Sequence, residues 1–521
     1  MPFIQKLPLR QTVSALAIGS IMIAGGCKSK NGGADEVNDA AVSISKNDYG
    51  DIGDVLKVPA RKVSADESEK VLKAIGLWDE SKALKWDDRS GGDGTYTFKN
   101  ISSTDEAGQT FKAKHLTLAG LHMDEGRPLA DLVEMGGLKL TGKDTSLSID
   151  NLGLTEIALS KNIAALSEID DLLDLDVLDI NDDTQSEGPT SFVMSGVKGR
   201  SDEAEFSIAN VGWGQDPKTS HLRFAAKDLT IKTTGKSAAT IKLASANVKG
   251  LEAVKDAASV TGNNGFLELL AQGQGFGDVE VNGLEVTSDA VMLNLPNLSQ
   301  SVTTKGHIMH GNFEMPSLTV SIQDNDDLPA EARQGLAMLK SLGFDELVFS
   351  SKGQTETNQK TDHTMVKAIS LDLKDGFDLN YKGQFSGFGA MKRLGAEPTL
   401  GDIETAQANI KIHDFGLSLE DKSIVDRGFK LAGEMTGQKP DALRRQAKGV
   451  LALGSLAAFT QDDGAIYAEF TKALGDFIED GGTLNIALNP DTPLSLSDFD
   501  DLSRGKKPDL NRLGFSASTT K

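Results

Sequence analysis

The sequence predicts an α+β fold, mainly antiparallel β, in which a duplicated curled sheet has covering helices and a helix-rich C-terminal part. Three observations lead to this prediction. Apolar and polar residues alternate with a period of two in many segments, which places every second side chain on one face of a sheet. Two groups of segments recur in the same order along the chain. After the second group, the apolar spacing changes to the three- and four-residue period of helices.

The N-terminal segment has the layout of a secretory signal and leads to the one cysteine of the chain. A short basic start precedes the apolar stretch 12–23 (TVSALAIGSIMI), which is shorter than the ~20 residues that span a bilayer. The following AGGC, ending at Cys27, resembles the lipobox of bacterial lipoproteins, although Ala24 stands where leucine is commoner. The resemblance implies cleavage before Cys27 and a diacylglyceryl group on its thiol.

These features predict how the chain is attached and where. Residues 1–26 are expected to be the lipoprotein signal peptide, and residues 27–61 a flexible tether, because they are polar and poor in large apolar side chains. Lys28 follows the cysteine, where the lipoprotein resemblance implies that aspartate favours the inner membrane. We therefore expect a bacterial cell-envelope protein, lipid-anchored in the outer membrane and facing the periplasm.

The clearest alternation, residues 369–382 (ISLDLKDGFDLNYK), predicts a hairpin and its register. A two-residue turn would place Leu373 beside Asp378, whereas the three-residue loop 374–376 pairs apolar with apolar side chains, so a bulged hairpin with Gly376 left-handed is expected. Six apolar side chains then share one face and are the candidate ligand-facing residues: Ile369, Leu371, Leu373, Phe377, Leu379 and Tyr381.

Further strands follow from the same alternation. In residues 279–286 (VEVNGLEV), a two-residue Asn282-Gly283 turn would pair Val281 with Leu284, so a second hairpin is predicted. Other alternating segments are also predicted to be strands: 114–123, 147–154, 291–295, 313–322 and 484–488.

The internal repeat begins in each copy with a helix that ends at a glycine. These helices are SADESEKVLKAIGLW (64–78) and LPAEARQGLAMLKSLGF (328–344). Later in each copy, IDNLGLT resembles IHDFGLS, and short helical stretches are expected at RPLADLVEM from Arg127 and GAMKRLG from Gly389. Duplicated copies at about 64–160 and 328–422 are predicted, and chance similarity between amphipathic elements is the alternative.

The body is predicted to divide at changes in this pattern. Residues 62–327 are expected to form a first β-rich lobe, and 328–422 the second repeat copy. Residues 423–497 are expected to form a helical cap plus a final strand, and 498–521 a loose tail.

A second resemblance concerns the chain after Lys340. The segments KSLGFDELVFSS, GLSLEDKSIVDRGF and GGTLNIALNPDTPLSLSDF resemble AsmA-like and related uncharacterised proteobacterial periplasmic β-rich proteins. The resemblance is one of overall pattern and includes no diagnostic motif. It implies a part in lipid movement or envelope homeostasis.

Charge and motifs argue against several functions. A net charge of −22 disfavours nucleic acid as a partner, so a lipid rather than electrostatic attraction is expected to hold the protein at the membrane. The chain has no G-x-S-x-G motif, and Gly235-Lys236-Ser237 lacks the earlier glycine of a phosphate-binding loop. We therefore predict no catalytic residues and no cofactor.

No metal is predicted either. His307 and His310 are three residues apart in a predicted strand, which points their rings to opposite faces. The acidic run 170–183 offers only weak calcium candidates, because it lacks the D-x-D-x-D-G loop. These candidates are Asp174, Asp176 and Asp179.

The function predicted from these patterns is non-catalytic binding of a lipid, another hydrophobic ligand or an envelope protein partner. The apolar face that carries Leu371 and Leu379 is expected to be only partly covered by helices. If that face is instead packed core, which is the commoner fate of such residues, the protein is a scaffold. Two other classes stay open: an envelope hydrolase whose site is assembled from distant residues, and a calcium-dependent surface adhesin.

Overall fold

The structure is a computed structural model that describes residues 60–80, 84–104, 108–159, 191–215, 222–235, 238–251, 277–323, 330–389, 405–458, 464–495 and 512–521. Antiparallel strands make up most of it and helices a smaller part, which confirms the mainly antiparallel α+β prediction. The chain divides into two compact units, residues 1–283 (unit 1) and 284–521 (unit 2).

Unit 1 is an antiparallel meander that follows one helix. Its elements are α1 (Ala65–Ala74), β1 (Leu84–Lys85), β2 (Asp88–Gly92), β3 (Thr95–Thr104), β4 (Thr110–Ala119), β5 (His122–Asp124), β6 (Arg127–Thr141), β7 (Ser146–Ala158), β8 (Ser191–Arg200), β9 (Ala204–Gln215), β10 (Leu222–Thr233) and β11 (Ala239–Leu251). The long strands pair in the order β3, β4, β6, β7, β8, β9, β10 and β11. The boundary with unit 2 lies within β12 (Asp278–Ser288).

Helix α1 covers one face of this meander and fills a core. Ser64 caps the helix by accepting a hydrogen bond from the backbone N–H of Glu67 at 3.3 Å, and the chain leaves the helix through Gly76 at φ 75°. Leu72 is fully buried against sheet residues that include Phe98 and Leu118. Unit 1 therefore has a filled interior of the kind expected for a stable domain.

The segment before α1 is fastened to β6 by one ion pair. The backbone N–H of Arg61 donates to Asp131 Oδ2 at 2.7 Å, and Arg61 Nε donates to Oδ1 at 3.0 Å. The Asp131 side chain is only 5% exposed, while Ala60 is buried with Ala119 and Leu132. This Arg61–Asp131 clasp fixes the chain where the predicted tether ends.

Unit 2 is a second antiparallel meander with four helices among its described elements. They are β13 (Val291–Lys305), β14 (Ile308–Ile322), α2 (Ala330–Ser341), β15 (Leu347–Asn358), β16 (His363–Leu373), β17 (Phe377–Ser386), β18 (Lys411–Asp421), α3 (Ile424–Thr436), α4 (Pro440–Ala458), α5 (Gly464–Asp480), β19 (Gly482–Leu488), β20 (Leu494–Ser495) and β21 (Phe515–Thr520). Pairing runs from β13 to β19 in sequence order, then to β21, and β20 also pairs with β18.

The predicted 369–382 hairpin has the expected register but a different turn conformation. Leu373 pairs with Phe377 across a three-residue loop, as predicted. The prediction that Gly376 is left-handed is wrong, because Asp375 adopts that conformation at φ 58°. Aspartate tolerates positive φ, and Gly376 is needed for space instead, since a Cβ there would lie 2.7 Å from Leu373 Cδ2.

The predicted Asn282-Gly283 hairpin is wrong, because both residues lie inside the continuous strand β12. A type I′ turn needs two residues with positive φ, and only Gly283 has one, at 61°. Asn282 Nδ2 instead donates to Ser245 Oγ at 3.0 Å, and a Cβ on Gly283 would lie 2.9 Å from that of Ala244. These contacts with residues of β11 favour the extended conformation. The local sequence pattern does not indicate them.

The predicted helix at RPLADLVEM is also wrong, because these residues form the start of β6. This strand is paired on both sides, with β4 and β7, so ladder hydrogen bonds and burial override the three- and four-residue spacing. Most of GAMKRLG lies outside the described residues.

The helices that open the two proposed repeats are confirmed as α1 and α2, and they end alike. Gly76 N–H donates to Lys73 O at 3.2 Å, and Gly343 N–H donates to Lys340 O at 2.9 Å. Both glycines have φ 75°, while IDNLGLT lies in β7 and IHDFGLS in β18. The duplication itself stays a prediction.

The C-terminal residues differ from the expected loose tail over one segment. Strand β21 pairs with β19 along its length, and Ala517 is buried beneath α5. The short alternating segment 515–520 forms a strand because it pairs with the edge of β19 and packs against α5. Residues 498–511 lie outside the described residues.

Candidate functional site

The candidate ligand-facing residues lie side by side on one face of the unit 2 sheet. Leu371 pairs with Leu379 and Ile369 with Tyr381, and the row continues on β18 at Leu419 and Leu417. Five of the six candidates are half-buried. Leu373 is only 5% exposed, so it packs in the interior beside the hairpin turn. Burial raises the pKa of the Tyr381 hydroxyl, which is consistent with an apolar surrounding.

Strand β15 contributes small side chains to this face. Ser351 and Gly353 lie opposite Leu371 and Ile369 on β16. On their other side they face two large residues of β14, Met315 and Phe313. Small side chains therefore stand between two rows of large ones, and Ile369 Cγ1 lies 3.0 Å from the position that a Cβ on Gly353 would take. We call this set of residues the β15 trough: Ser351 and Gly353 as floor, with Met315, Phe313, Ile369 and Leu371 as walls. The sequence analysis considered only the β16–β17 part of this face.

Helices cover both flanks of the apolar face. On one side, Leu336 of α2 packs against Ile322 at the end of β14. On the other side, Phe477 of α5 packs over Leu484, with Leu419 beside them. Between these flanks, the side chains of β16 and β17 retain partial solvent exposure.

The apolar row on β17 is longer than the sequence analysis proposed. Phe385 lies on the same face as Tyr381, four residues along the strand, and its ring is 6.3 Å from that of Phe388. The ring of Phe415 on β18 lies 6.4 Å from that of Tyr381. The alternation FDLNYKGQF carries this signal, but Gly383 interrupts it.

A polar junction fixes the start of α3 against the β16–β17 turn and the end of α2. Gly376 O accepts backbone hydrogen bonds from Lys422, Ser423 and Ile424 at 3.0 to 3.2 Å. Arg427 Nη1 donates to the carbonyls of Leu342 at 2.7 Å and Gly343 at 2.6 Å. The carbonyl groups at the end of a helix have no acceptor role within the helix, and Arg427 donates to two of them at the end of α2.

Three charges belong to the same junction. Asp372 and Asp378 pair across the hairpin, and Lys422 Nζ lies 2.6 Å from an oxygen of the first and 3.0 Å from an oxygen of the second. Hydrogen bonding from Asp378 and Lys422 lowers the pKa of Asp372, whereas hydrogen bonding to Asp372 and burial raise that of Asp378. Both carboxylates raise the pKa of Lys422 above its ordinary value. The set is a structural ion cluster on the polar face of the sheet.

The fold brings together a serine and two histidines that the sequence analysis did not connect. Ser386 Oγ hydrogen-bonds His413 Nε2 at 2.8 Å, and the rings of His413 and His363 are 5.0 Å apart. Burial and His363 lower the pKa of His413. Within the described residues no carboxylate hydrogen-bonds His413, so a nucleophile–base–acid arrangement is incomplete there. His307 and His310 take no part in this group.

Several predicted site residues cannot be placed. Cys27 and the calcium candidates Asp174, Asp176 and Asp179 lie outside the described residues. Among the residues that the structure describes, no group of three or more His, Cys, Asp or Glu side chains has the geometry of a metal site. In the same part of the chain, no helix is both long and apolar enough to cross a bilayer.

A family model described as "Uncharacterized protein" matches residues 370–520. No curated protein matches the chain. Among solved structures, a loop L8 deletion mutant of OmpT, an outer membrane protein of Vibrio cholerae, shares 10% sequence identity, covers 64% of this chain and 87% of its own, and has a TM-score of 0.13. A similarity this weak to an outer membrane protein carries no argument about function.

Proposed function

We propose that this protein is a lipid-anchored envelope protein that binds a hydrophobic ligand, without catalysis, in the β15 trough. Cys27 carries the anchor, and residues 27–61 connect it to the body. The ligand class is an acyl chain, because the side chains that form both walls of the trough are apolar and the two residues of its floor have small side chains.

The observation that supports this proposal is incomplete burial of a continuous apolar face. In unit 1 the corresponding kind of face is filled by α1, and Leu72 and Phe98 are fully buried. In unit 2, Leu371 and Leu379 are in register with each other but half-buried. Covering the remaining apolar surface is favourable by about 25 cal/mol per Å², so an acyl chain along this face gains affinity without any specific polar contact.

The ligand proposal is tested by filling the trough. Ser351→Leu adds a large side chain to its floor, and Lys352→Leu places the same side chain on the opposite, exposed face of β15 as the matched control. We expect photocrosslinking of a diazirine-bearing palmitate to fall at least tenfold in the first variant and to stay unchanged in the second. Equal labelling of both variants and the wild type contradicts the trough and favours the scaffold reading.

The anchor is tested separately. Cys27→Ser removes the only thiol, so metabolic labelling with radioactive palmitate should disappear and the protein should leave the membrane fraction. A mature wild-type chain whose mass shows an unmodified Cys27 contradicts the anchor. Native mass spectrometry of the wild-type protein addresses the other two classes. Bound calcium favours a calcium-dependent adhesin, and any other bound metal favours a hydrolase.

A further inference from the structure

Two histidines and a serine form a compact group on the polar face of the unit 2 sheet. Three adjacent strands contribute one residue each: His363 of β16, Ser386 of β17 and His413 of β18. Ser386 pairs with His363 in register and follows Phe385 along β17, so the group lies on the face opposite to the apolar row. The group is therefore separate from the β15 trough.

An irregularity in β18 directs His413 towards this group. Two consecutive residues of β17 pair with Asp414 and Ile412, so His413 is the extra residue between two register positions. Bulges of this kind turn a side chain out of the regular alternation. Neighbouring strands are about 4.8 Å apart, which separates β16 from β18 by roughly 10 Å. The centres of the two rings are only 5.0 Å apart, so both side chains lean across the small Ser386.

The protonation state and the orientation of His413 both suit a metal ligand. Metal ions bind the unprotonated imidazole, and the pKa of His413 is lowered from its ordinary value of 6.5, first by burial and then by His363. Ser386 Oγ lies 2.8 Å from His413 Nε2. A hydrogen bond to one ring nitrogen orients a metal-bound histidine and leaves the other nitrogen for the ion. The nearby charges oppose each other, since Asp414 raises the pKa of His413 and Lys411 lowers it.

We propose that His363 and His413 together bind one divalent transition-metal ion of the zinc type above Ser386, with water completing its coordination. Metal–nitrogen bonds of about 2.1 Å place two coordinating nitrogens at most ~4.2 Å apart. Rings whose centres are 5.0 Å apart can meet this limit by side-chain rotation, without movement of the strands. Imidazole nitrogen favours Zn²⁺, Cu²⁺ and Ni²⁺, whereas Mg²⁺ and Ca²⁺ prefer oxygen ligands.

Binding at this pair is expected to be reversible and to need both rings. Within the described part of the chain, no third His, Cys, Asp or Glu side chain completes a metal-binding group with them. Zinc sites with three or four protein ligands hold the ion through more bonds. The ion links β16 to β18, each of which pairs with β17, so loss of either imidazole removes half of the protein ligands.

Isothermal titration of Zn²⁺ into the full-length protein, after removal of bound metal, tests the pair. His363→Gln and His413→Gln each remove one imidazole and retain a polar side chain. Changing a partner that only orients a ligand costs about 10- to 100-fold in metal affinity, so each of these variants should bind at least tenfold more weakly. His307→Gln is the matched control, because His307 is exposed between β13 and β14 and should leave the affinity unchanged. No Zn²⁺ binding by the wild type, or equal affinity in the wild type and both pair variants, overturns the proposal.

Competition and native mass spectrometry separate a shared ion from other binding. An excess of Mg²⁺ should not displace Zn²⁺, and displacement indicates oxygen ligands and contradicts the pair. The ion should be lost from the double variant His363→Gln, His413→Gln, which distinguishes it from an ion at a hydrolase site elsewhere. An ion retained by the double variant, or weaker binding in only one single variant, contradicts a site shared by the two rings. Ser351→Leu fills only the β15 trough and should leave Zn²⁺ binding intact, so failure of one proposal is distinguishable from failure of the other.

Discussion

At the scale of single residues, the most informative contacts join side chains that are far apart in the sequence. Lys422 reaches two carboxylates of the β16–β17 hairpin, and Arg427 reaches the end of α2. The local sequence around KSIVDRGF does not indicate either partner, because a charged residue near the start of a helix is usually predicted to be exposed to solvent. The three-residue loop that places Asp372 opposite Asp378, in contrast, was predictable from alternation alone.

Lys422→Met is expected to weaken unit 2 in a pH-dependent manner. Lys422 has a raised pKa, so its contribution is present below the ordinary lysine value of 10.5 and is lost as the pH rises through the higher folded value. Asp372 has a lowered pKa, so its contribution is present above 3.8 and is lost as the pH falls through the lower folded value. Asp378 has a raised pKa and opposes this in part, because ionising it beside Asp372 costs stability as the pH rises.

The difference between wild type and Lys422→Met should therefore be largest near neutral pH, begin to shrink as the pH falls below 3.8, and be lost only below the lowered folded pKa of Asp372. All three side chains are about a third exposed, so each ion pair contributes only ~0.2 to 1 kcal/mol. Urea unfolding at pH 7 and at about pH 2 measures this, with Lys430→Met on α3 as the control. A difference that is independent of pH contradicts the assignment.

At the scale of elements, the helices of both proposed repeats were predictable, while some strands were not. Helix α1 carries a capping serine, a three- to four-residue apolar period and a terminal glycine, all of them local signals. The start of β6 has a similar period but is a strand, since β4 and β7 provide partners on both edges. The Arg61–Asp131 clasp also depends on β6, which places a buried carboxylate beneath the segment that precedes α1.

Asp131→Ala is expected to release that segment. Arg61 then loses its side-chain and backbone bonds to the carboxylate, and trypsin should cleave after Arg61 faster than in the wild type. Limited proteolysis with N-terminal sequencing measures the rate. Asp124→Ala removes an exposed partner of Arg127 and serves as the control. Equal cleavage rates in the two variants contradict the view that the clasp holds the chain.

At the scale of the whole molecule, the two units differ in how completely they bury an apolar sheet face. Leu72 lies in a filled core, so Leu72→Ala should cost unit 1 about 2 to 5 kcal/mol. Leu371 is half-buried, so Leu371→Ala should cost unit 2 less than about 2 kcal/mol, because its exposed surface contributes no burial.

The two units need not unfold together, so amide hydrogen exchange should be measured separately in β3 and in β16. Protection in β3 is expected to fall strongly in Leu72→Ala, and protection in β16 only slightly in Leu371→Ala. A loss of protection in β16 as large as that in β3 means that the unit 2 face is ordinary core, which removes the main support for a ligand in the β15 trough.

The sequence by itself determined the mainly antiparallel class, the repeat-opening helices and the register of the 369–382 hairpin, because each depends on side chains that are neighbours in the chain or across one turn. Only the tertiary structure decided that β12 runs straight through Asn282-Gly283 and that small residues of β15 lie between large ones of β14 and β16. The apolar depression lined by Phe429 of α3 and Ile478 of α5 likewise depends on two helices that are separated in the sequence. Such features arise from which distant segments pack together, and the free energy of that packing outweighs the local preference of any one segment.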